Sequence, residues 1–483
     1  MSQRKIASSA LWQIASQCVM AALSIVTVKF VAVGLSKELA GNYNSAYGYL
    51  QLFGILADFG LYAVAVREVS RAQDKVKVLS TLVVLRGSIL LLSLITALFF
   101  VWVLPVWHHT PLPLSVTIAA LVPLFTLLAG ILRTVFQVHY KMHYVFVAEV
   151  SQRIVTVGLI GTLVALGLRG STNLHDLHLF LFFGGVGAFV LFLISLFYAN
   201  QLIPVQCAVD WQVLQTILVK AFPYGIAFLC IALYRQMDTT LIALLRPDFE
   251  LQNAYYGFVL RMTDMAYLIP TFLLNSTLPT LTQTQAKSVE RQALLEKTFV
   301  LILATGITAC LFALLWPRPL MQLLTTEQYL STHARAGADT ALRLLALPML
   351  LNGVILFSFY ALLTVHHWKP LVWKLSSAAA VALVMNTLLI PRFGFVGAGI
   401  TSITIHLLLS TLLLPTAIST IHFTVPWKKL FPLTLFAVFL GGGLLLTQPL
   451  LTSNLHTAIG LGVMGVFTLL LTHALHIQKL SLK

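Results

Sequence analysis

The chain has 483 residues, of which 59% are hydrophobic and only 9% charged, yet its formal net charge is +15. A water-soluble domain carries about 25% charged residues, so this composition excludes a globular protein with its whole surface in water. The positive charge is spread over many loops rather than gathered in one patch, which argues against a nucleic-acid-binding surface.

In chain order, fourteen apolar stretches fill most of the sequence: 10–34, 42–66, 79–104, 114–138, 145–167, 177–199, 217–245, 252–279, 298–316, 340–364, 370–390, 395–415, 430–447 and 456–475. A helix needs about 20 apolar residues to cross a bilayer. In lipid, each spanning segment must satisfy its own backbone hydrogen bonds. The stretches are therefore predicted to be the helices of an all-α integral membrane protein; barrel strands would alternate over about ten residues. Arg4 and Lys5 precede the first stretch, but that stretch is too long for a cleaved signal and no small-residue cleavage site follows. It is expected to remain as helix one.

Basic residues alternate from loop to loop. About fifteen Lys and Arg, among them Arg67, Arg71, Lys75 and Lys287, fall at the two ends and in every second loop. The opposite loops hold six: Lys37, Arg169, Arg246, Arg318, Arg335 and Arg392. The positive-inside rule then puts both termini in the cytoplasm, on a multi-pass protein of the cytoplasmic membrane, with its basic loops against anionic membrane lipids. No loop is long enough for a soluble domain. Residues 200–216 link spans six and seven, and 282–297 is expected to be a short amphipathic helix at the inner surface.

Two short motifs recur at nearly one spacing. Tyr47-Gly48-Tyr49 returns as Tyr256-Gly257-Phe258, and Phe183-Gly-Gly-Val-Gly-Ala188 returns as Phe393-Gly-Phe-Val-Gly-Ala398. The plan this implies is a six-helix unit (1–199), a linker (200–216), a second six-helix unit of the same design (217–415) and two further helices (416–483). Parallel repeats of this kind are a transporter signature, with the substrate site between the halves.

Ionisable groups inside the spans are the informative ones, because each costs roughly 2.5–3.5 kcal/mol at the bilayer centre. Arg235 and Asp238 in span seven, and Arg261 and Asp264 in span eight, are spaced i, i+3 on one helical face. They read either as self-neutralised pairs or as the lining of a wet chamber near mid-depth. Lys29 and Asp58 stand in spans one and two without a local counter-charge. Nearer the inner side lie Arg86, Arg133, Glu149, Arg153 and Lys374. Arg86 reads best as an interfacial anchor; Arg133, Glu149 and Arg153 read as a basic inner mouth, Arg being suited to phosphate by its two-pronged geometry.

Other signals are sparse. Cys18, Cys207, Cys230 and Cys310 lack CxxC spacing and read as apolar fillers, with no disulfide or zinc site expected. His139 and His143 lack a third ligand, and no P-loop, nucleophile elbow or metal cluster occurs. No cofactor and no catalytic residue is expected, so the chain is read as a transporter and not an enzyme.

The run Leu388-Leu-Ile-Pro-Arg-Phe-Gly-Phe-Val-Gly-Ala-Gly399, with Asn386 before it, resembles the helix eleven to twelve junction of polysaccharide (Wzx-type) flippases of the multidrug/oligosaccharidyl-lipid/polysaccharide superfamily. Gly41-Asn-Tyr-Asn-Ser-Ala-Tyr47, Ala57-Asp-Phe-Gly-Leu61 and Arg67-Glu68 resemble that family's first helices, and Ala361-Leu-Leu-Thr364 with Lys369-Pro370 its helix ten to eleven turn. The resemblance implies two pseudo-symmetric six-helix bundles around a central cavity, plus two peripheral C-terminal helices. It implies transport of an undecaprenyl-pyrophosphate-linked oligosaccharide between leaflets, alongside a polysaccharide polymerase machinery. On that reading Lys29, Arg133, Arg153, Arg235 and Arg261 bind the substrate, and Asp58, Asp238, Asp264 and Glu149 couple or orient. A multidrug exporter or lipid II flippase of the same superfamily is the alternative, although lipid II flippases carry several arginines in helix one where this chain has only Lys29. A membrane glycosyltransferase or ligase is the alternative of a different class; the short outer loop 317–339 offers it little.

Overall fold

The computed structural model describes residues 3–58, 68, 74–203, 208–283, 288–364 and 368–475. Within them the chain is helical throughout. The first half gives α1 (Gln3–Gly34), α2 (Lys37–Asp58), α3 (Lys75–Val103), α4 (Leu112–Ala119), α5 (Leu121–Val138), α6 (Met142–Ala165) and α7 (Leu174–Leu202). The second gives α8 (Trp211–Leu245), α9 (Phe249–Gln283), α10 (Ser288–Leu315), α11 (Pro317–Leu324), α12 (Ala338–Thr364), α13 (Trp368–Phe393), α14 (Phe395–Ile421), α15 (Trp427–Thr447) and α16 (Asn454–Ala474). Of the described helices, thirteen are long and apolar enough to cross a membrane, with α4 and α5 counted together as one span. The helix α2 is not among them, because its first half carries Lys37, Glu38, Asn42, Asn44 and Ser45. Large apolar side chains stand outward on the spans: Leu446 is 80% exposed and Leu455 69%. Such a surface is soluble only in lipid; the protein is a multi-pass membrane protein.

Span four is one stretch, Leu112–Val138, with a local irregularity at Ala120 between α4 and α5. Two expectations are corrected. No separate surface helix occupies 282–297. Residues 282 and 283 end α9 and 288–297 are the first turns of α10, with 284–287 outside the described residues. A helix leaving the membrane goes on being a helix, and its charged turns only look detached in sequence. The two Gly-rich motifs are also not equivalent. Gly187 is the fourteenth residue of α7, whereas Gly397 is the third of α14, just after Gly394 has turned the chain at φ +57°.

The chain divides into two compact units, Met1–Gly257 and Phe258–Lys483. In the first, the helices neighbour one another in the order α1, α6, α7, α5, α3, α2, α8. Close approaches fix this order. A Cβ on Gly161 of α6 would lie 2.8 Å from the Phe30 ring of α1, and one on Gly185 of α7 would lie 2.9 Å from Leu121 of α5. Small residues let membrane helices pack by contact rather than by hydrophobic drive. The α1–α2 turn is tied to the α6–α7 loop by an isolated bridge, in which Ser36 N–H donates to the Ser171 carbonyl at 2.8 Å. Leu82 and Leu85 of α3 share a core with Ile217 and Ala221 of α8. There Asp210 caps α8 through the Val213 N–H and pairs with Lys77 at 2.5 Å.

In the second unit the neighbour order is α13, α14, α12, α10, α15, α16. The helices α13 and α14 run antiparallel: Gly397 sits against Leu389, and Lys374 Nζ donates to the Leu412 carbonyl at 2.9 Å.

Candidate functional site

The ionisable residues of the first unit fall at two levels. The lower level is built on the tight α5–α6 hairpin. Arg133 and Glu149 stand eight residues either side of Lys141 in that turn, so they meet: Arg133 Nη1 donates to Glu149 Oε1 at 2.9 Å. The other carboxylate oxygen accepts from Ser16 Oγ of α1 at 2.5 Å. Three helices are thus joined at one carboxylate, whose side chain is 13% exposed against 30% for Arg133. Arg153 lies one turn along α6, half-buried. Arg86 of α3 is buried rather than anchored at an interface, and its Nη1 donates to the Gly130 carbonyl of α5 at 3.5 Å. Among the described residues, Arg86, Arg133 and Arg153 thus stand on three neighbouring helices, with Glu149 paired to Arg133. Arg133 Nε is buried with no hydrogen-bond partner among the described residues.

The upper level lies near the α1–α2 turn. Lys29 is half-buried on α1, thirteen residues or about 20 Å along the helix from Ser16. Asp238 of α8 is buried, 3% exposed, and accepts a hydrogen bond from the Tyr256 hydroxyl of α9 at 2.8 Å. It stands seven residues, about 10 Å, from the end of α8. Arg235 is half-buried one turn earlier. Beside Asp238 runs a polar seam that sequence reasoning missed. Asn44 Nδ2 donates to the Asn253 carbonyl at 3.2 Å, and Asn253 Nδ2 donates to Ser45 Oγ and to the Thr239 carbonyl. The signal was present: Asn44 and Asn253 are 209 residues apart, the same spacing as Gly48 and Gly257. The seam is tight because its glycines leave no room. A Cβ on Gly257 would lie 2.5 Å from Asn44 Cβ, and one on Gly41 would fall on the Glu250 carbonyl.

Arg261 and Asp264 belong to the second unit, both half-buried on α9. Asp58 is the last residue of α2, and its side chain lies outside the described residues, as do Arg67, Arg71, Lys287 and Cys207. Lys374 is engaged by Thr416 and the Leu412 carbonyl of α14. His139 Nδ1 bonds the Val135 carbonyl of its own helix turn at 2.9 Å, and no group of three metal-binding side chains occurs among the described residues.

A bundle of spanning helices with cationic side chains inside it, and polar seams between helices, defines a membrane transporter. The fold is shared with transporters of the multidrug/oligosaccharidyl-lipid/polysaccharide superfamily. Lipid II flippase MurJ in an inward closed conformation superposes with a TM-score of 0.71 over 98% of this chain and 99% of that one, at 13% identity. An inward-facing multidrug resistance transporter of the superfamily gives 0.65 over 86% and 98%, at 10% identity. A Pyrococcus furiosus superfamily transporter whose binding pocket has reversed polarity gives 0.58 over 86% and 95%, at 12% identity. The family model described as polysaccharide biosynthesis protein matches residues 6–285, and the chain belongs to that family. No curated protein sequence matches it.

Proposed function

We propose that this protein flips a lipid-linked oligosaccharide, carried on undecaprenyl pyrophosphate, from the inner to the outer leaflet of the cytoplasmic membrane. The observation that supports the reading is the lower level of the first unit, where Arg133 is paired with Glu149 yet keeps a buried Nε without a hydrogen bond among the described residues, with Arg153 one turn along α6. A guanidinium inside a helix bundle calls for water or an anion, and Arg makes paired hydrogen bonds to phosphate. Membership of a polysaccharide-biosynthesis family agrees with a sugar-bearing pyrophosphate.

On this reading two six-helix bundles, 1–199 and 217–415, enclose a central cavity. Residues 200–216 link them, 416–483 are accessory, and both termini are cytoplasmic. The matching neighbour orders of the two units, α6–α7–α5–α3 in one and α13–α14–α12–α10 in the other, support the two-bundle plan. Lys29, Arg133, Arg153, Arg235 and Arg261 hold the headgroup; Asp58, Asp238, Asp264 and Glu149 couple or orient. The seam of Asn44 and Asn253 serves as a closure that parts when the cavity opens outward, as alternating access requires.

The test is reconstitution in liposomes with a fluorescent lipid-pyrophosphate oligosaccharide. The wild type should expose the headgroup to an external lectin without changing glycan length. Arg133→Gln and Arg235→Ala should each reduce that rate at least tenfold. Wild-type rates from both variants, or export of organic cations in place of the lipid, would remove the reading.

A further inference from the structure

Spacing along α6 would pair Glu149 with Arg153, at i+4 on the same face. The fold gives the Glu149 carboxylate to two other helices. Its Oε1 accepts from Arg133 Nη1 of α5 at 2.9 Å, and its Oε2 accepts from Ser16 Oγ of α1 at 2.5 Å. A guanidinium and a carboxylate pair best when both oxygens meet it in parallel hydrogen bonds. Here one oxygen is held by a hydroxyl on a third helix. Arg133 Nε accordingly stays buried, with no hydrogen bond among the described residues. The fork of Arg133 is only partly filled by its own protein.

Packing keeps the hydroxyl where it is. The helices α1 and α6 run side by side in the same direction. The Trp12 and Phe146 rings lie 5.1 Å apart, Ser16 meets Glu149 one turn on, and Phe30 meets Gly161 further along. Ser16 is 2% exposed in that contact. Of the charged pair, Arg133 is the more exposed, at 30% against 13% for Glu149. The carboxylate is therefore anchored from the α1 side, and the guanidinium is the more open partner.

A phosphoryl group meets this fork better than the carboxylate does. Its oxygens can accept from Nη1 and Nε of one guanidinium together, the two-pronged contact that Arg makes with phosphate. It must first take Nη1 from Glu149. The exchange leaves neither charge bare. The arriving anion neutralises Arg133, while Ser16 keeps hold of the displaced carboxylate and Arg153 lies one turn along the same face of α6.

We propose, on the reading of this level as the pyrophosphate site, that Glu149 is an internal competitor for the pyrophosphate group. It occupies Arg133 until the anion displaces it, and retakes Arg133 as the anion leaves. A carboxylate that holds Arg133 about nine-tenths of the time weakens an arriving anion about tenfold. A site built this way lets go of what it has bound, as a carrier must. The test is calorimetry on the purified protein in detergent, with inorganic pyrophosphate and farnesyl pyrophosphate as probes. Glu149→Gln, whose neutral amide competes less, should bind both about tenfold more tightly than wild type. Ser16→Ala frees Oε2 to close on Arg133, so it should bind both more weakly, and it reads the same competition if Glu149→Gln does not fold. Arg133→Gln should lose binding. Wild-type or weaker affinity in a folded Glu149→Gln protein, with binding still dependent on Arg133, would overturn the competition and leave the pyrophosphate site standing. No binding of either probe to wild type or to Glu149→Gln would remove the site, and this proposal with it. Binding of inorganic pyrophosphate without the prenyl form would assign Arg133 to a soluble anion and overturn the proposal as well.

Discussion

Adding one methyl group at Gly41 forces it into another helix's backbone. The new Cβ would lie 1.6 Å from the Glu250 carbonyl oxygen and 3.0 Å from the Ala254 nitrogen. Carbon contacts settle near 3.5 Å, and a helical carbonyl cannot swing aside as a side chain does. The helices α2 and α9 would have to part locally by roughly 1.5–2 Å. That parting carries the Asn44–Asn253 bond, now 3.2 Å, out of hydrogen-bond range. Overpacking costs about 1–3 kcal/mol and the stranded amide about 1–3 kcal/mol. The helical preference of Ala over Gly returns about 1 kcal/mol. Gly41→Ala should therefore destabilise by about 1–5 kcal/mol. The assay is thermal unfolding in detergent, with Gly158→Ala as the internal reference. Gly158 has nothing within 4 Å of its added Cβ, so that change should be neutral or stabilising. Gly48→Ala should fall between the two: Thr239 Oγ1, 2.1 Å from the added Cβ, can rotate away, while Thr239 Cβ at 2.8 Å must give by a smaller shift. A Gly41→Ala protein as stable as Gly158→Ala would refute the seam as drawn.

Three further outcomes are expected. Arg133→Gln and Glu149→Gln should each destabilise by about 1–3 kcal/mol, less than the 3–5 kcal/mol of a fully buried pair because Arg133 is partly exposed. The double variant should recover part of the loss, and strict additivity in unfolding measurements would count against the pairing. Tyr256→Phe leaves the buried Asp238 carboxyl without its hydroxyl donor and should cost about 1–3 kcal/mol; a wild-type melting temperature would deny that bond any weight. The hydrogen bond from Lys77, followed by that from the Val213 N–H, holds the Asp210 carboxyl below its ordinary value. A depressed carboxylate stabilises the fold above its unfolded pKa of about 4, and that contribution fades as pH falls through the lower folded value. Protection of the amides at the start of α8, taken relative to their intrinsic exchange rates, should therefore fall below about pH 4, and Asp210→Asn should remove that loss of protection.

The spans were readable because lipid imposes a length and an apolar composition on any helix that crosses it. Tertiary partners were less so. Glu149 offers an i, i+4 partner in Arg153, yet its carboxylate takes Arg133, since residues equidistant from a tight helical turn face each other. That rule was available in the sequence once the turn at Lys141 was placed. The Ser16 contact was not, because nothing local brings residues 133 positions apart together. Asn44 and Asn253 were legible through their shared spacing, but they carry no charge, and Asn44 stood out only as part of the Gly41–Tyr47 motif. The Phe183 and Phe393 motifs erred the other way: glycine clusters recur in membrane helices for packing alone, so a spacing match between them carries little.

The seam is held unequally from its two sides. Asn44 gives one hydrogen bond, to the Asn253 carbonyl, whereas Asn253 gives two, to Ser45 Oγ on α2 and to the Thr239 carbonyl on α8. A change at Asn253 therefore loosens α9 from two helices at once, while a change at Asn44 touches only one of those joints.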